Sequence, residues 1–139
     1  MLRIRELAIV TALLLPCSCK TPATNPGGDG VTAIQFPDAV VPDGLTLHDR
    51  YHESSSAEAP GWRHGHFVYT GQTHLDDACA HLRSRMPQHG WTLTSEDRPD
   101  EATRRMAFSR GRYRADYYLH RKDGITEMVI DYRTVSPTK

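Results

Sequence analysis

Beyond residue 43, one stretch of this chain spaces its apolar residues for a helix. Leu75, Ala78, Cys79, Leu82 and Met86 fall at i, i+3, i+4, i+7 and i+11, which gathers them into a single stripe. Thr73 precedes the stripe as an N-cap, and Asp76 follows three residues on in the manner of a capping box. Asp76 and Asp77 both lie where the helix dipole favours negative charge. Pro87 kinks or ends the last turn, and Gly90 suits a left-handed C-terminal cap. A lone helix of ~12–15 residues covers one face of a sheet and no more. The rest of the domain must therefore be mostly sheet, with its second face left to solvent or to something else.

The flanking sequence alternates as strands do. Leu45, Leu47 and Tyr51 alternate with Thr46, His48, Arg50 and His52, predicting a strand over 45–53, with Asp49 breaking its apolar side. Residues 54–61, Ser-Ser-Ser-Ala-Glu-Ala-Pro-Gly, read as a polar loop. Trp62 opens a strand running to about Thr70. Its Phe67 and Tyr69 face one way and its His64, His66, Val68 and Thr70 the other, and it pairs with 45–53 as a hairpin. Trp91 and Leu93 start a strand after the helix. Met106 and Phe108 alternate in 104–110, and Gly111 permits a turn. Tyr113, Ala115, Tyr117 and Leu119 alternate with polar residues, Lys122-Asp123-Gly124 is a hairpin turn, and Met128, Ile130 and Tyr132 line the last strand. The fold class expected is α+β: an antiparallel sheet of about five to six strands, in β-β-α-β-β-β-β order, with one helix packed on one face. The uncovered face would show His48, His52, His64, His66, Arg112, Arg114, Tyr118 and His120.

The N-terminus reads differently. Arg3 and Arg5 give a positive start, and residues 7–15 form an uncharged apolar run of nine. That is too short for a hydrocarbon core of ~30 Å, which takes ~20 helical residues, but it fits the ~7–15-residue apolar region of a secretory signal. A buried core helix is the competing reading; the Pro/Gly-rich chain that follows carries no further helical periodicity. Leu14-Leu15-Pro16-Cys17-Ser18-Cys19-Lys20 then resembles the lipobox of bacterial lipoproteins, where a small residue precedes a cysteine that becomes diacylated and N-terminal. Cys17 has Leu14 at −3 but Pro16 at −1; Cys19 has Ser18 at −1 but Pro16 at −3. The −1 residue must fit the peptidase most tightly and Pro fits badly there, which favours Cys19 as the lipid attachment site, with Cys17 the alternative. If neither is used, the chain is secreted or held by an uncleaved anchor. Lys20, rather than Asp, resembles the pattern for outer-membrane sorting. Cys79 is then the remaining thiol, and one thiol makes no intramolecular disulfide.

The organisation expected is a signal peptide over 1–18, a Pro/Gly-rich tether over 19–43, an α+β domain over 44–134 and a frayed tail over 135–139. Four prolines and three glycines between residues 20 and 43 make the tether extended and flexible, semi-rigid where the prolines fall. Within it, Val31 to Phe36 is an apolar island able to add an edge strand. Loss of residues 1–18 removes Arg3, Arg5 and Glu6 from the 17 basic and 17 acidic residues, leaving 15 and 16 and a net charge of −1. A near-neutral domain gives no electrostatic case for nucleic acid or for a polybasic membrane-surface mode. The membrane partner would be met through N-terminal acyl chains, and an envelope protein is the other partner expected.

Tyr-x-Gly at 69–71, the helix, and Met-Pro-x-x-Gly-Trp at 86–91 resemble a group of small uncharacterised bacterial lipoproteins. These combine a lipobox, a proline-containing spacer and a compact α+β domain with Gly-Trp directly after the helix. The resemblance covers roughly residues 62–133. Ala78-Cys79-Ala80 stands where that group has an aromatic. The resemblance implies a fold and a location, and carries over no catalytic residue.

The chemistry-bearing residues mostly have packing explanations. His64 and His66 put two imidazoles ~7 Å apart on one strand face, and His48 and His52 face them across the hairpin, a set chemically suited to zinc, copper or nickel. The plainer reading is a solvated face that happens to hold histidines, since no fixed ligand spacing is present. Cys79 lies in the apolar stripe, where free Cys is a small hydrophobe. Ser54-Ser55-Ser56 lack the strand-turn-helix setting of a serine hydrolase. Asp76-Asp77 are explained by capping. Trp91 is expected under the helix and Trp62 exposed. No cofactor and no catalytic residue is assigned, and the expected role is a structural or protein-binding module rather than an enzyme, with a histidine metal site over His48, His52, His64 and His66 as the alternative.

Overall fold

The computed structural model describes residues 35–48 and 53–136. The leader, Cys17, Cys19, the tether as far as residue 34, and His52 lie outside the described residues. The strands are β1 (Leu45–Leu47), β2 (Ser55–Ala59), β3 (Trp62–Gly71), β4 (Thr92–Asp100), β5 (Thr103–Arg110), β6 (Tyr113–Lys122) and β7 (Ile125–Thr134). The helix α1 (Leu75–Arg85) runs into a 3-10 turn, Met86–His89. All seven strands form one antiparallel sheet in the order β1-β3-β7-β6-β5-β4, with β2 also on β3. From β3 the chain passes through α1 and returns at the far edge as β4. The meander β4 to β7 then works back until β7 lies against β3.

The mostly antiparallel sheet with one helix agrees with the α+β expectation, but the strand count and order do not. The first strand stops at Leu47, and five residues expected as loop form β2. Both arms pair along the same edge of β3: Leu45–Leu47 against Tyr69–Gly71, and Ser55–Ala59 against Trp62–His66. They form two arms of one edge, interrupted between Leu47 and Ser55. At the break, Val68 C=O accepts from His48 N–H at 2.8 Å and Val68 N–H donates to Ser54 Oγ at 3.0 Å. The edge of β3 needs partners for its backbone groups, and β2 supplies them. Its Ser-Ser-Ala-Glu-Ala sequence carries no alternation because nearly all of it faces water.

The core lies between the sheet and α1. Cross-strand rows set it: Phe67, Ile130, Tyr117 and Met106 in one, Gly65, Tyr132, Ala115 and Phe108 in the next. All but Gly65 are among the buried hydrophobic residues, at 2% exposure or less. The stripe Leu75, Ala78, Cys79, Leu82 and Met86 is buried, and α1 lies on β5 and β6. Gly90 takes φ 78 as its expected cap role requires.

Two local expectations are overturned. Thr73 does not cap α1: the cap position is His74, without a side-chain bond. Thr73 Oγ1 donates instead to Asp43 O at 2.6 Å, and Thr73 O accepts from Thr126 Oγ1 and Arg121 Nη1. The entry to the helix is fixed by tertiary bonds, so no local cap is needed. Residues 35–43, assigned to the tether by composition, pack on the domain. Phe36-Pro37-Asp38-Ala39 form a turn, with Ala39 N–H donating to Phe36 O at 3.0 Å and Pro37 at the position that pre-sets its φ. Phe36, Ala39 and Pro42 are buried. At the other end, Val135 N–H still bonds Arg112 O at 2.7 Å, so the first residue of the expected tail continues the sheet's bonding.

Candidate functional site

The face of the sheet away from α1 is the one expected to carry function, and its register fixes what stands beside what. One row reads His64, Arg133, Arg114, Ser109; the next His66, Asp131, Asp116, Ala107; then Val68, Val129, Tyr118, Arg105; then Thr70, Glu127, His120, Thr103. Asp131 and Asp116 are directly opposed across β6 and β7, an arrangement that repels. Their neighbours answer it. Arg114 Nε reaches Asp116 Oδ1 at 2.8 Å, Arg133 Nη1 reaches Asp116 Oδ2 at 3.0 Å, and His66 Nδ1 lies 2.6 Å from Asp131 Oδ1. Arg105 lies over the Tyr118 ring, 5.6 Å from its centroid. The surface is mixed in charge and mutually paired, with Tyr118 40% and Trp62 46% exposed. Such a surface can bind a complementary charged surface through rearranged ion pairs.

Of the four histidines predicted as a metal set, the three that are described are engaged separately. His48 lies 3.5 Å from Glu53, His64 stacks on Trp62 with centroids 6.3 Å apart, and His66 bonds Asp131. Among the described residues, no group of three or more His, Cys, Asp or Glu is placed to hold a metal ion. Arg112 sits at the tight turn between β5 and β6, donating to Gly61 O, and His120 Nδ1 is 3.3 Å from Thr103 Oγ1. Ser54 is buried and bonds the β3 backbone. Cys79 is buried on the helix, and burial pushes its thiol pKa up, away from reactivity.

The polar residues that composition alone did not mark lie on the core side. Arg104 is buried and shares its face with Met106 and Phe108. Its Nη2 donates to Asp76 Oδ1 at 2.9 Å, and its Nη1 donates to the carbonyls of Asp100, Glu101 and Thr103. Arg104, bonded to Asp76, holds that carboxyl below the usual carboxylate range. Arg83 does the same for Glu96 on β4. At the far end of the core, Asp38 is buried between arginines and aromatics. Its Oδ2 accepts from Arg110 and, at 3.1 Å, from Tyr132 Oη, and its Oδ1 lies 3.7 Å from Arg63 Nη1, beyond hydrogen-bond reach. Trp91 Nε1 donates to Asp38 O at 2.8 Å. Arg110 lies over Trp91, and Arg63 over Phe36. Asp38 Oδ1 and Tyr69 Oη are buried without a hydrogen-bond partner, which for a neutral group such as the Tyr69 hydroxyl costs about 1–3 kcal/mol. The readable signal was parity: Arg63, Arg104, Arg110 and Arg121 occupy core-facing positions near strand ends.

Comparison with known proteins finds no matching family model, no matching curated protein and no matching solved structure. Among the described residues, no helix is long and apolar enough to cross a membrane.

Proposed function

We propose that this chain is a lipid-anchored bacterial envelope protein whose domain works by docking to a partner protein. The observation that carries the reading is the N-terminal order of Arg3 and Arg5, the apolar run 7–15, and Ser18-Cys19-Lys20. Acyl chains on Cys19 hold the protein at the membrane, and more than one chain gives stable attachment where a single chain would be marginal. With Lys20 following Cys19, the destination in a cell with two membranes is the outer membrane, on its periplasmic side. The resemblance to small bacterial lipoproteins with a compact α+β domain supports the same location. The open sheet face, with its opposed Asp116 and Asp131 and their arginine partners, is the contact surface this reading assigns to the partner.

Labelling with a fatty acid, followed by membrane fractionation, tests the anchor. The wild-type protein incorporates label and sediments with membranes. Cys19→Ser loses both properties while its urea midpoint is unchanged, and Cys17→Ser keeps both. A soluble, unlabelled wild type refutes the anchoring.

A further inference from the structure

Residues 36–42 lie at the sheet's margin without being part of it. They form no ladder with a strand. Side chains of the domain reach out to them instead. Trp91 Nε1 takes Asp38 O, Tyr117 Oη takes Val40 O at 3.0 Å, and Arg110 and Tyr132 take the Asp38 carboxylate. The Phe36 ring lies edge-on to Phe67 and against Tyr132, with centroids 5.8 and 4.7 Å apart. Gly65 makes the room: a Cβ there would stand 2.5 Å from the Phe67 ring and 3.0 Å from Phe36. This is how a groove holds a peptide, by donors to its carbonyls, a charge partner for its acid and a slot for its aromatic.

We propose that this groove is a recognition site for a turn of the form aromatic-Pro-Asp, filled here by the chain's own Phe36-Pro37-Asp38, and that a partner polypeptide presenting the same turn displaces it. The contacts are ones that any such turn supplies, since two of them go to backbone carbonyls. Pro37 pre-forms the turn and lowers the ordering cost of binding. The resident turn is an imperfect occupant, leaving Asp38 Oδ1 without a hydrogen bond. Its C-terminal end turns into β1 at Asp43-Gly44, where Gly44 has φ +81. The inference does not depend on the lipid anchor.

The test uses the full chain in detergent and a fluorescein-labelled peptide with the sequence of residues 34–43. In Phe36→Ala/Asp38→Ala the resident turn loses its two side-chain holds, and the peptide binds at least ten-fold more tightly than to wild type. The same peptide with Ala in place of its Asp binds at least ten-fold more weakly. A folded double variant that binds the peptide no better than wild type overturns the proposal. Wild type alone decides if the double variant does not fold. The Trp91 indole N–H, bonded to Asp38 O, exchanges with deuterium at least ten-fold faster than the β6 and β7 amides, because the turn opens locally. Exchange at the rate of those amides, meaning that the turn leaves only on global unfolding, overturns the proposal. So does a wild-type chain that dimerises by trading the turn between copies, which makes the occupant a second copy rather than a different partner.

Discussion

At the scale of single residues, the buried polar side chains are what hold the pieces around the apolar core. Asp38 joins a segment of tether-like composition to three strands through Arg63, Arg110 and Tyr132. Asp38→Ala strips Arg110 of its counter-charge and leaves Arg63 with Glu58 alone, at 2.8 Å. Both keep partial access to water, at 27% and 31% exposure, so the cost falls below the ~3–5 kcal/mol of a fully enclosed pair, and urea denaturation should show a loss of about 2 kcal/mol. Cys79 has the opposite character, a thiol kept inert by burial with its pKa raised. A thiol reagent should leave Cys79 unmodified in the folded protein and modify it in urea, measured by mass. Rapid labelling without denaturant would show the helix to be far more mobile than its packing implies. Cys79 and its stripe were legible in the sequence because their spacing is helical. Asp38 was not, because nothing local distinguishes an acid after Phe-Pro in a tether from one held by residues 25 to 94 positions away.

Among the elements, the turns and edges divide along the same line. Asp123-Gly124 joins Lys122 to Ile125 as a two-residue hairpin, with φ 51 and 80 at its centre, as the Asp-Gly pair demands. A Cβ at Gly124 meets nothing within 4 Å, so Gly124→Ala measures backbone strain alone and should cost about 1 kcal/mol. Gly71 is the contrast. A Cβ there would lie 1.9 Å from Gly44 O, and because the obstacle is backbone, Gly71→Ala should cost about 3 kcal/mol or more. Paired melts of the two variants check both, and equal costs would contradict the close approach of β3 to the Asp43-Gly44 turn. The first of these positions could be read from two letters of sequence. The second, like the split edge of β1 and β2, depends on what lies alongside β3.

For the molecule as a whole, two ion pairs tie α1 to the sheet: Asp76 to Arg104 on β5, and Arg83 to Glu96 on β4. Both carboxyls have folded pKa values below their ordinary ones, each chiefly through its hydrogen bond to arginine. A depressed carboxyl contributes stability that is present above its unfolded pKa of ~4 and is lost as pH falls through the folded value. The urea midpoint should therefore hold between pH 7 and 5 and decline below ~4, and the Arg104→Gln/Glu96→Gln variant should show a shallower decline. An acid limb identical in the variant would locate the sensitivity elsewhere. The sequence by itself determined the helix, the alternation of the long strands, the hairpin at Asp123-Gly124 and hence a sheet with one covered face, because each follows from periods and turn residues within a few positions. Tertiary structure alone decided that β4 closes the far edge, that a polar stretch becomes β2, that Thr73 bonds Asp43 rather than capping α1, and that Phe36 and Ala39 join the core. Those outcomes turn on which backbone groups and charges find partners across the fold, and partners distant in sequence leave no local pattern.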